Sequence, residues 1–304
     1  MGPYWGIDLG GTKIEGVILE STDSRSPLCR IRVDTEADRG YRHILSRIQL
    51  LVQKMASETG IAPRAIGLAH PGAVEPDTHL LKNSNPVCMN GQPLIEDLQS
   101  LLGVSVAHAN DANCFALAEA TLGAGKGSRV VFGVILGTGT GGGVVVDGKV
   151  ISGRHGIGGE WGHNVLQPDS SEQCYCGKRG CVEMVLAGPK LEAFYERRSG
   201  ERLKLSKIRE RALSGDDADA IATIDRLCSE FGKAIAVVLN ILDPDIVVLG
   251  GGVSNIPELY TRGVEAIRPW IFNDGRVHTQ IVQHQLGDSA GVFGAALLTA
   301  KEGV

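Results

Sequence analysis

No apolar run in this sequence approaches the ~20 residues needed to cross a bilayer, so no membrane-spanning helix is expected. The opening Met1-Gly2-Pro3-Tyr4-Trp5 passes straight into an apolar stretch. It lacks the charged-then-apolar plan of an export signal, and the residues after Gly2 lack the Ser or Thr of a myristoylation motif. An excess of basic charge is missing as well. Lys and Arg number 30 against 35 Asp and Glu, for a net charge of −5 and a pI near 5.9. That leaves no electrostatic footprint for nucleic acid. Proline is scarce, at 12 residues, while glycine reaches 41. The glycines cluster between apolar runs and so mark tight turns rather than disorder. Seven cysteines without an export signal fit a reducing cytoplasm. Four of them, Cys29, Cys88, Cys114 and Cys228, are scattered and read as small apolar residues.

At 304 residues the chain has room for two domains, and 43% hydrophobic with 21% charged residues is the profile of a globular protein. The remaining three cysteines gather in one stretch. His163, Cys174, Cys176 and Cys181 offer one imidazole and three thiols, the donor set of a closed tetrahedral zinc site. Gly177 and Gly180 let a tight loop aim the sulfurs at one point. A loop of free thiols, or a disulfide with one cysteine left over, is the plainer alternative. Glu160 stands three residues before His163, and Glu183 two after Cys181. A metal clip there would fix two carboxylates beside it, a pair suited to the hydroxyls of a sugar.

The pattern apolar strand, glycine turn, apolar strand occurs twice. The first copy runs through Asp8-Leu-Gly10-Gly11-Thr12-Lys13 and the second through Leu136-Gly-Thr138-Gly139. Each turn lets backbone N–H groups and a Thr hydroxyl meet a phosphate. Asp8 would aim a carboxylate at the same place, useful for hydrated Mg²⁺. Neither turn has the Gly-Lys-Ser/Thr ending of a Walker A loop, and each alone also reads as a plain hairpin. Two copies point to two related halves. A third glycine turn, Gly250-Gly251-Gly252, follows a buried strand at Asp245–Leu249 and would let the backbone lie against adenine or ribose; a simple strand–helix turn is the alternative.

Apolar spacing predicts helices over Tyr41–Thr59 and Ala218–Leu242, and a further helix over Pro257–Phe272. The turn-rich, amide-rich stretch Lys82–Leu94 reads as a loop able to face a polar ligand. Asn110-Asp111-Ala-Asn113 lies between a strand at Val104–Ala107 and a helix at Cys114–Leu122. Asp111 there is either a crevice-lining carboxylate or an N-cap.

These motifs carry a resemblance. Gly158-Gly-Glu160-Trp-Gly-His163 followed by Cys174-Tyr-Cys-Gly-Lys-Arg-Gly-Cys181-Val-Glu183 resembles the signature of the ROK family (repressors, open reading frames and sugar kinases). Asp8-Leu-Gly-Gly-Thr12, Pro71-Gly72, Asn110-Asp-Ala-Asn113, Leu136-Gly-Thr-Gly139 and Asp243-Pro-Asp245 extend it over the whole chain. The resemblance implies an α/β chain of the actin-like ATPase (ribonuclease H-like) fold, with a ligand cleft between two related α/β domains. Residues 1–112 with about 288–304 would form the smaller domain, onto which a last helix, Val292–Lys301, packs back. Residues 113–287 would form the larger domain with the zinc loop.

The resemblance further implies an ATP-dependent kinase acting on a hexose hydroxyl, the 6-hydroxyl, with Mg²⁺ and a structural Zn²⁺. Asp111 would be the catalytic base. Sugar contacts would fall on Gly72, Asn85, Asn110, Glu160, His163 and Glu183. The nucleotide would meet Asp8, Gly10, Gly11, Thr12, Lys13, Thr138, Gly139, Gly251 and Gly252. The zinc ligands would be His163, Cys174, Cys176 and Cys181. Lys82-Asn-Ser-Asn85, Asn90-Gly-Gln-Pro93 and Gly159-Glu-Trp-Gly-His-Asn164 look most like the bacterial fructokinase/mannokinase branch, so fructose or mannose is expected, with N-acetylglucosamine or glucose as alternatives. His70 departs from the aliphatic residue common before Pro-Gly. Family repressors carry a helix-turn-helix ahead of the core, for which the start of the first turn at Gly10 leaves no room. A sugar-binding module without catalysis is the remaining class, against which Asp111 and both turns speak. The expected assembly is a cytoplasmic homodimer with a hexose as its ligand.

Overall fold

The computed structural model describes residues 2–287 and 290–300. Met1, Asp288, Ser289 and residues 301–304 lie outside the described residues, and so do the expected helix end at Lys301 and part of the expected 288–304 segment. The strands and helices of the first half are β1 (Tyr4–Leu9), β2 (Lys13–Leu19), β3 (Cys29–Asp34), α1 (Tyr41–Thr59), β4 (Ala65–His70), β5 (Ala73–Val74), β6 (Leu81–Lys82), α2 (Leu94–Leu102), β7 (Ser105–Asn110) and α3 (Asp111–Thr121). They continue as β8 (Val130–Leu136), β9 (Thr140–Val146), β10 (Lys149–Val150), α4 (Val182–Leu186), α5 (Gly188–Ser199), α6 (Leu205–Ser214), α7 (Ala218–Leu242), β11 (Ile246–Gly250), α8 (Arg262–Glu265), β12 (Gln280–Gln283) and α9 (Ala290–Leu298). Among the described residues no helix is long and apolar enough to cross a membrane.

Two five-stranded sheets share one topology. The first runs β3-β2-β1-β4-β7 and the second β10-β9-β8-β11-β12. In the first, β2 pairs antiparallel with β1 and β3, while β4 pairs parallel with β1 and β7. In the second, β11 pairs parallel with β8 and β12, and β10 antiparallel with β9. This repeated order is the actin-like ATPase fold, and it accounts for the two strand–glycine turn–strand copies in the sequence.

The chain falls into two compact units. One holds the residues up to Gly127, Gly143–Gly159 and the chain from Gln285 on; the other holds Ser128–Gly142 and Glu160–His284. The first unit therefore reaches beyond the expected boundary at 112. The reason is the packing of α3 on α9: a Cβ on Gly294 would lie 1.8 Å from the Cys114 carbonyl oxygen, so only glycine permits the approach. On the other face of the first sheet, Ile66, Leu68 and Val106 join Ile44, Ile48, Leu51 and Met55 of α1 in the core. Those α1 residues recur at helical spacing, and burying each stabilises by about 1.5–3 kcal/mol. Gly60 closes α1 in the left-handed region, φ 70°, and donates to the Ala56 carbonyl.

In the second unit, α7 spans the residues its apolar face predicts, capped by Asp217, whose side chain accepts from the N–H groups of Asp219 and Ala220. The expected single helix over 257–272 is broken instead. A 3-10 turn at Pro257–Tyr260 is followed by the one-turn α8, with Thr261 between them at φ −120° and ψ −80°, outside the helical region.

Candidate active site

In the first unit the turn between β1 and β2 is closed by Gly10 N–H donating to the Lys13 carbonyl at 3.0 Å. The Thr35 hydroxyl donates to the Gly10 carbonyl at 2.7 Å. Gly11, Thr12 and Lys13 are left exposed at the tip. Asp8 lies half-buried near the end of β1. Burial first, then the charges of Asp111 and Glu15, push its carboxyl up to about 7, with Lys13 opposing. Burial thus favours a neutral Asp8 until a cation compensates its charge.

Gly72 sits at φ 77°, and a Cβ there would lie 2.3 Å from the Lys82 carbonyl oxygen. The turn after β4 is therefore pressed onto the 82–85 loop. That loop is closed by Asn90, whose Oδ1 accepts from Ser84 N–H at 2.7 Å and whose Nδ2 donates to the Ser84 carbonyl at 3.1 Å. Asn85 is exposed, and its carbonyl lies 3.7 Å from where a Gly11 Cβ would be, so the loop runs beside the Gly10–Lys13 turn.

Asn110 ends β7, and α3 begins at Asp111, three residues earlier than the sequence suggests. Asn110 is the N-cap: its Oδ1 accepts from Asn113 N–H at 2.9 Å. Asp111 is the first helical residue and not the cap. Its Oδ1 accepts from Ala112 N–H at 2.7 Å. The residue keeps solvent contact, yet the surrounding protein holds its carboxyl above the usual value, with the Ala112 N–H pulling the other way. Beside it, buried His70 meets the Pro71 carbonyl through Nδ1 at 3.3 Å and His108 Nδ1 through Nε2 at 3.2 Å. A carbonyl only accepts, so His70 carries its hydrogen on Nδ1 and accepts from His108. Burial, then His108, lowers His70 to about 3.

The second unit holds the other turn. Gly137 N–H donates to the Gly139 carbonyl at 2.9 Å, and Thr138 is exposed. Glu183, on α4, accepts the Thr140 N–H at 2.9 Å. Gly188 N–H, at the start of α5, donates to the Gly137 carbonyl at 2.8 Å. Gly251 packs against the Leu136 carbonyl, which brings the third glycine turn, with Gly252 exposed, beside the second. Glu160 heads the 3-10 turn Trp161–His163. Buried Trp161 anchors that turn, donating from Nε1 to the Gly141 carbonyl at 3.1 Å and meeting Phe132 edge-on.

His163, Cys174, Cys176 and Cys181 bring their ligand atoms within 4.8 Å of one another. Cys174 Sγ lies 3.6 Å from His163 Nδ1, and Cys176 Sγ lies 3.6 Å from Cys181 Sγ. Zinc bonds of about 2.3 Å to sulfur and 2.0–2.1 Å to nitrogen set tetrahedral edges of about 3.6–3.8 Å, so the donor set fits zinc. All four side chains converge without a disulfide. The His163 Nε2 faces the Tyr175 hydroxyl at 2.9 Å, a partner that nothing in the sequence announces. The same holds for the Glu183–Thr140 contact and the His70–His108 pair, each of which joins residues far apart in the chain.

The residues named from the sequence are thus placed in two groups. Asp8, Gly10 to Lys13, Gly72, Asn85, Asn110 and Asp111 lie in the first unit; Thr138, Gly139, Glu160, His163, Glu183, Gly251, Gly252 and the three cysteines lie in the second. The ROK family pattern matches residues 4–302. An N-acetyl-D-glucosamine kinase of Aliivibrio fischeri is 37% identical over 308 residues, spanning 98% of this chain and 100% of that one. The ROK hexokinase structure from Thermus thermophilus superposes with a TM-score of 0.86 at 31% identity, covering 99% of each chain. A ROK glucokinase from Streptomyces griseus, in complex with glucose and AMPPNP, gives a TM-score of 0.78 at 28% identity over 98% of this chain and 99% of that one. The chain belongs to the ROK family and is a sugar kinase of that family.

Proposed function

We propose that this protein transfers the γ-phosphoryl group of ATP to the 6-hydroxyl of a hexose, with N-acetyl-D-glucosamine as its preferred sugar. The observation that carries the sugar is the 37% identity, over 98% of this chain, to a kinase named for it. The expected leaning to fructose or mannose finds no support in that relative and gives way.

Asp111 is the catalytic base. Its carboxylate takes the hydroxyl proton as the sugar oxygen attacks the γ-phosphorus in line. The new P–O bond forms while the bond from the γ-phosphorus to the β,γ-bridging oxygen breaks. ADP leaves with that electron pair, and the proton passes from Asp111 to solvent. The turns at Gly10, Gly11, Thr12 and Lys13 and at Thr138 and Gly139 hold phosphates through backbone N–H groups and hydroxyls. Gly251 and Gly252 let the backbone lie against the nucleoside. Magnesium, when bound, would neutralise charge on the phosphate oxygens, and Asp8 would hold its hydration shell. The sugar hydroxyls meet Gly72, Asn85, Asn110, Glu160, His163 and Glu183. Zinc held by His163, Cys174, Cys176 and Cys181 would be structural and would keep Glu160 and Glu183 in place.

The test is an ADP-release assay with Mg-ATP across N-acetylglucosamine, N-acetylmannosamine, glucose, mannose and fructose. N-acetylglucosamine is expected to give the highest kcat/KM. Turnover on none of the five would overturn the kinase reading. A higher kcat/KM on fructose or mannose would overturn the choice of sugar alone.

A further inference from the structure

Glu183, proposed above as a sugar contact, also holds the backbone of the second glycine turn. Its Oε2 accepts the Thr140 N–H at 2.9 Å, the first residue of β9 and the exit from the second glycine turn. A Cβ on Gly139 would lie 2.7 Å from that same oxygen, so glycine is required there for the carboxylate to dock. Thr140 is buried, and its hydroxyl has no hydrogen-bond partner among the described residues. Its side chain thus makes no hydrogen bond among those residues, and its backbone N–H goes to Glu183. Two residues past α4, the Gly188 N–H holds the Gly137 carbonyl at 2.8 Å. Both ends of the turn are thus gripped by the α4–α5 segment. The shape of the turn depends on where Glu183 sits.

We infer that Glu183 is a positioning residue for the phosphate turn as well as a sugar contact, so that one carboxylate couples the two substrates. This rests on the kinase reading above. One carboxylate oxygen holds the turn, and the second is the one offered to sugar hydroxyls. A bound sugar fixes the carboxylate, and the fixed carboxylate orders the turn that receives the phosphates. By linkage the coupling is reciprocal: sugar raises nucleotide affinity and nucleotide raises sugar affinity by the same factor.

The discriminating measurement is binding of Mg-AMPPNP, a non-hydrolysable ATP analogue, in the absence of sugar. Glu183→Ala removes the acceptor and is expected to weaken AMPPNP about 10-fold, the scale of one charged hydrogen bond. Glu183→Gln keeps an oxygen for the Thr140 N–H and is expected to stay within about twofold of wild type. Equal affinities of wild type and Glu183→Ala, or equal weakening in both variants, would overturn the inference. Failure of the wild type to bind AMPPNP at all would instead sink the kinase reading, and the inference with it. Thermal melting checks that the alanine variant folds. Hydrogen exchange on the wild type reads the same contact without any substitution. Saturating N-acetyl-D-glucosamine alone is expected to slow exchange across residues 137–140, and unchanged exchange there would overturn the coupling.

Discussion

Replacing Asp111 with asparagine separates catalysis from helix capping. The N-cap of α3 is Asn110, through its contact with Asn113 N–H at 2.9 Å, and Asp111→Asn leaves that contact untouched. An asparagine Oδ1 also still accepts the Ala112 N–H now held at 2.7 Å. What the substitution removes is a negative charge at a helix N-terminus, worth about 0.3–1 kcal/mol. Against this stands relief from ionising a carboxyl that its surroundings hold above the usual range. The two effects oppose, so the melting temperature is expected to move by no more than about 3 °C. The loss of a positioned base is far larger, about 10²–10⁴-fold in kcat, or roughly 3–5 kcal/mol of barrier. The sugar KM should stay within about threefold, because the proton moves only in the transition state. The control is Asn110→Ala, which removes the cap and should cost about 1 kcal/mol of stability. Steady-state kinetics and a melting curve on each variant suffice. A kcat for Asp111→Asn near that of wild type would refute the base assignment.

Four further outcomes follow from the geometry. The acid limb of kcat/KM should lie above the ordinary Asp value of 3.8, since Asp111 must be ionised to accept a proton and its pKa is raised; a limb at or below 3.8 contradicts this. Asp8 is raised from 3.8 to about 7, so it favours folding fully below pH 3.8 and that contribution is lost as pH climbs through 7. Metal-free Asp8→Asn should therefore gain stability relative to metal-free wild type between pH 4 and 7, and a flat difference across that window would count against the shift. Freshly purified, reduced protein should hold about one zinc per chain, lost in Cys174→Ser together with sugar affinity; an active, zinc-free preparation would end that assignment. Gly72→Ala places a Cβ 2.3 Å from the Lys82 carbonyl oxygen at φ 77°. It should destabilise the protein by at least about 1–2 kcal/mol and raise the sugar KM, and a wild-type melting curve with unchanged KM would show that the loop does not need glycine.

Local pattern made much of the architecture legible. The spacing Ile44, Ile48, Leu51, Val52 and Met55 defined α1 to the residue, and Asp243-Pro244 marked the end of α7 at Leu242. Two strand–turn–strand copies anticipated two sheets of one order. One imidazole and three thiols, close in sequence, bring their side chains together as their spacing implied. Boundaries set by tertiary packing were not legible. The start of α3 at Asp111 depends on the Asn110 cap, whereas the sequence had offered only Asp111 as a cap. The run over 257–272 had helical spacing but breaks at Thr261, a backbone conformation that apolar periodicity does not report. The Glu183–Thr140 bond joins residues 43 apart, and no residue type signals such a contact. His70 looked like an oddity beside Pro71-Gly72 and turns out to be half of a hydrogen-bonded pair with His108 on the neighbouring strand.

The most direct test of the account is the product itself. Incubation with Mg-ATP and N-acetyl-D-glucosamine, followed by ³¹P NMR and mass spectrometry, reads both the stoichiometry and the position of the phosphate. The account predicts one sugar 6-phosphate for each ADP formed, and neither product from Asp111→Asn on the same time scale. ADP without a sugar phosphate, or a phosphate on any other hydroxyl, would contradict it.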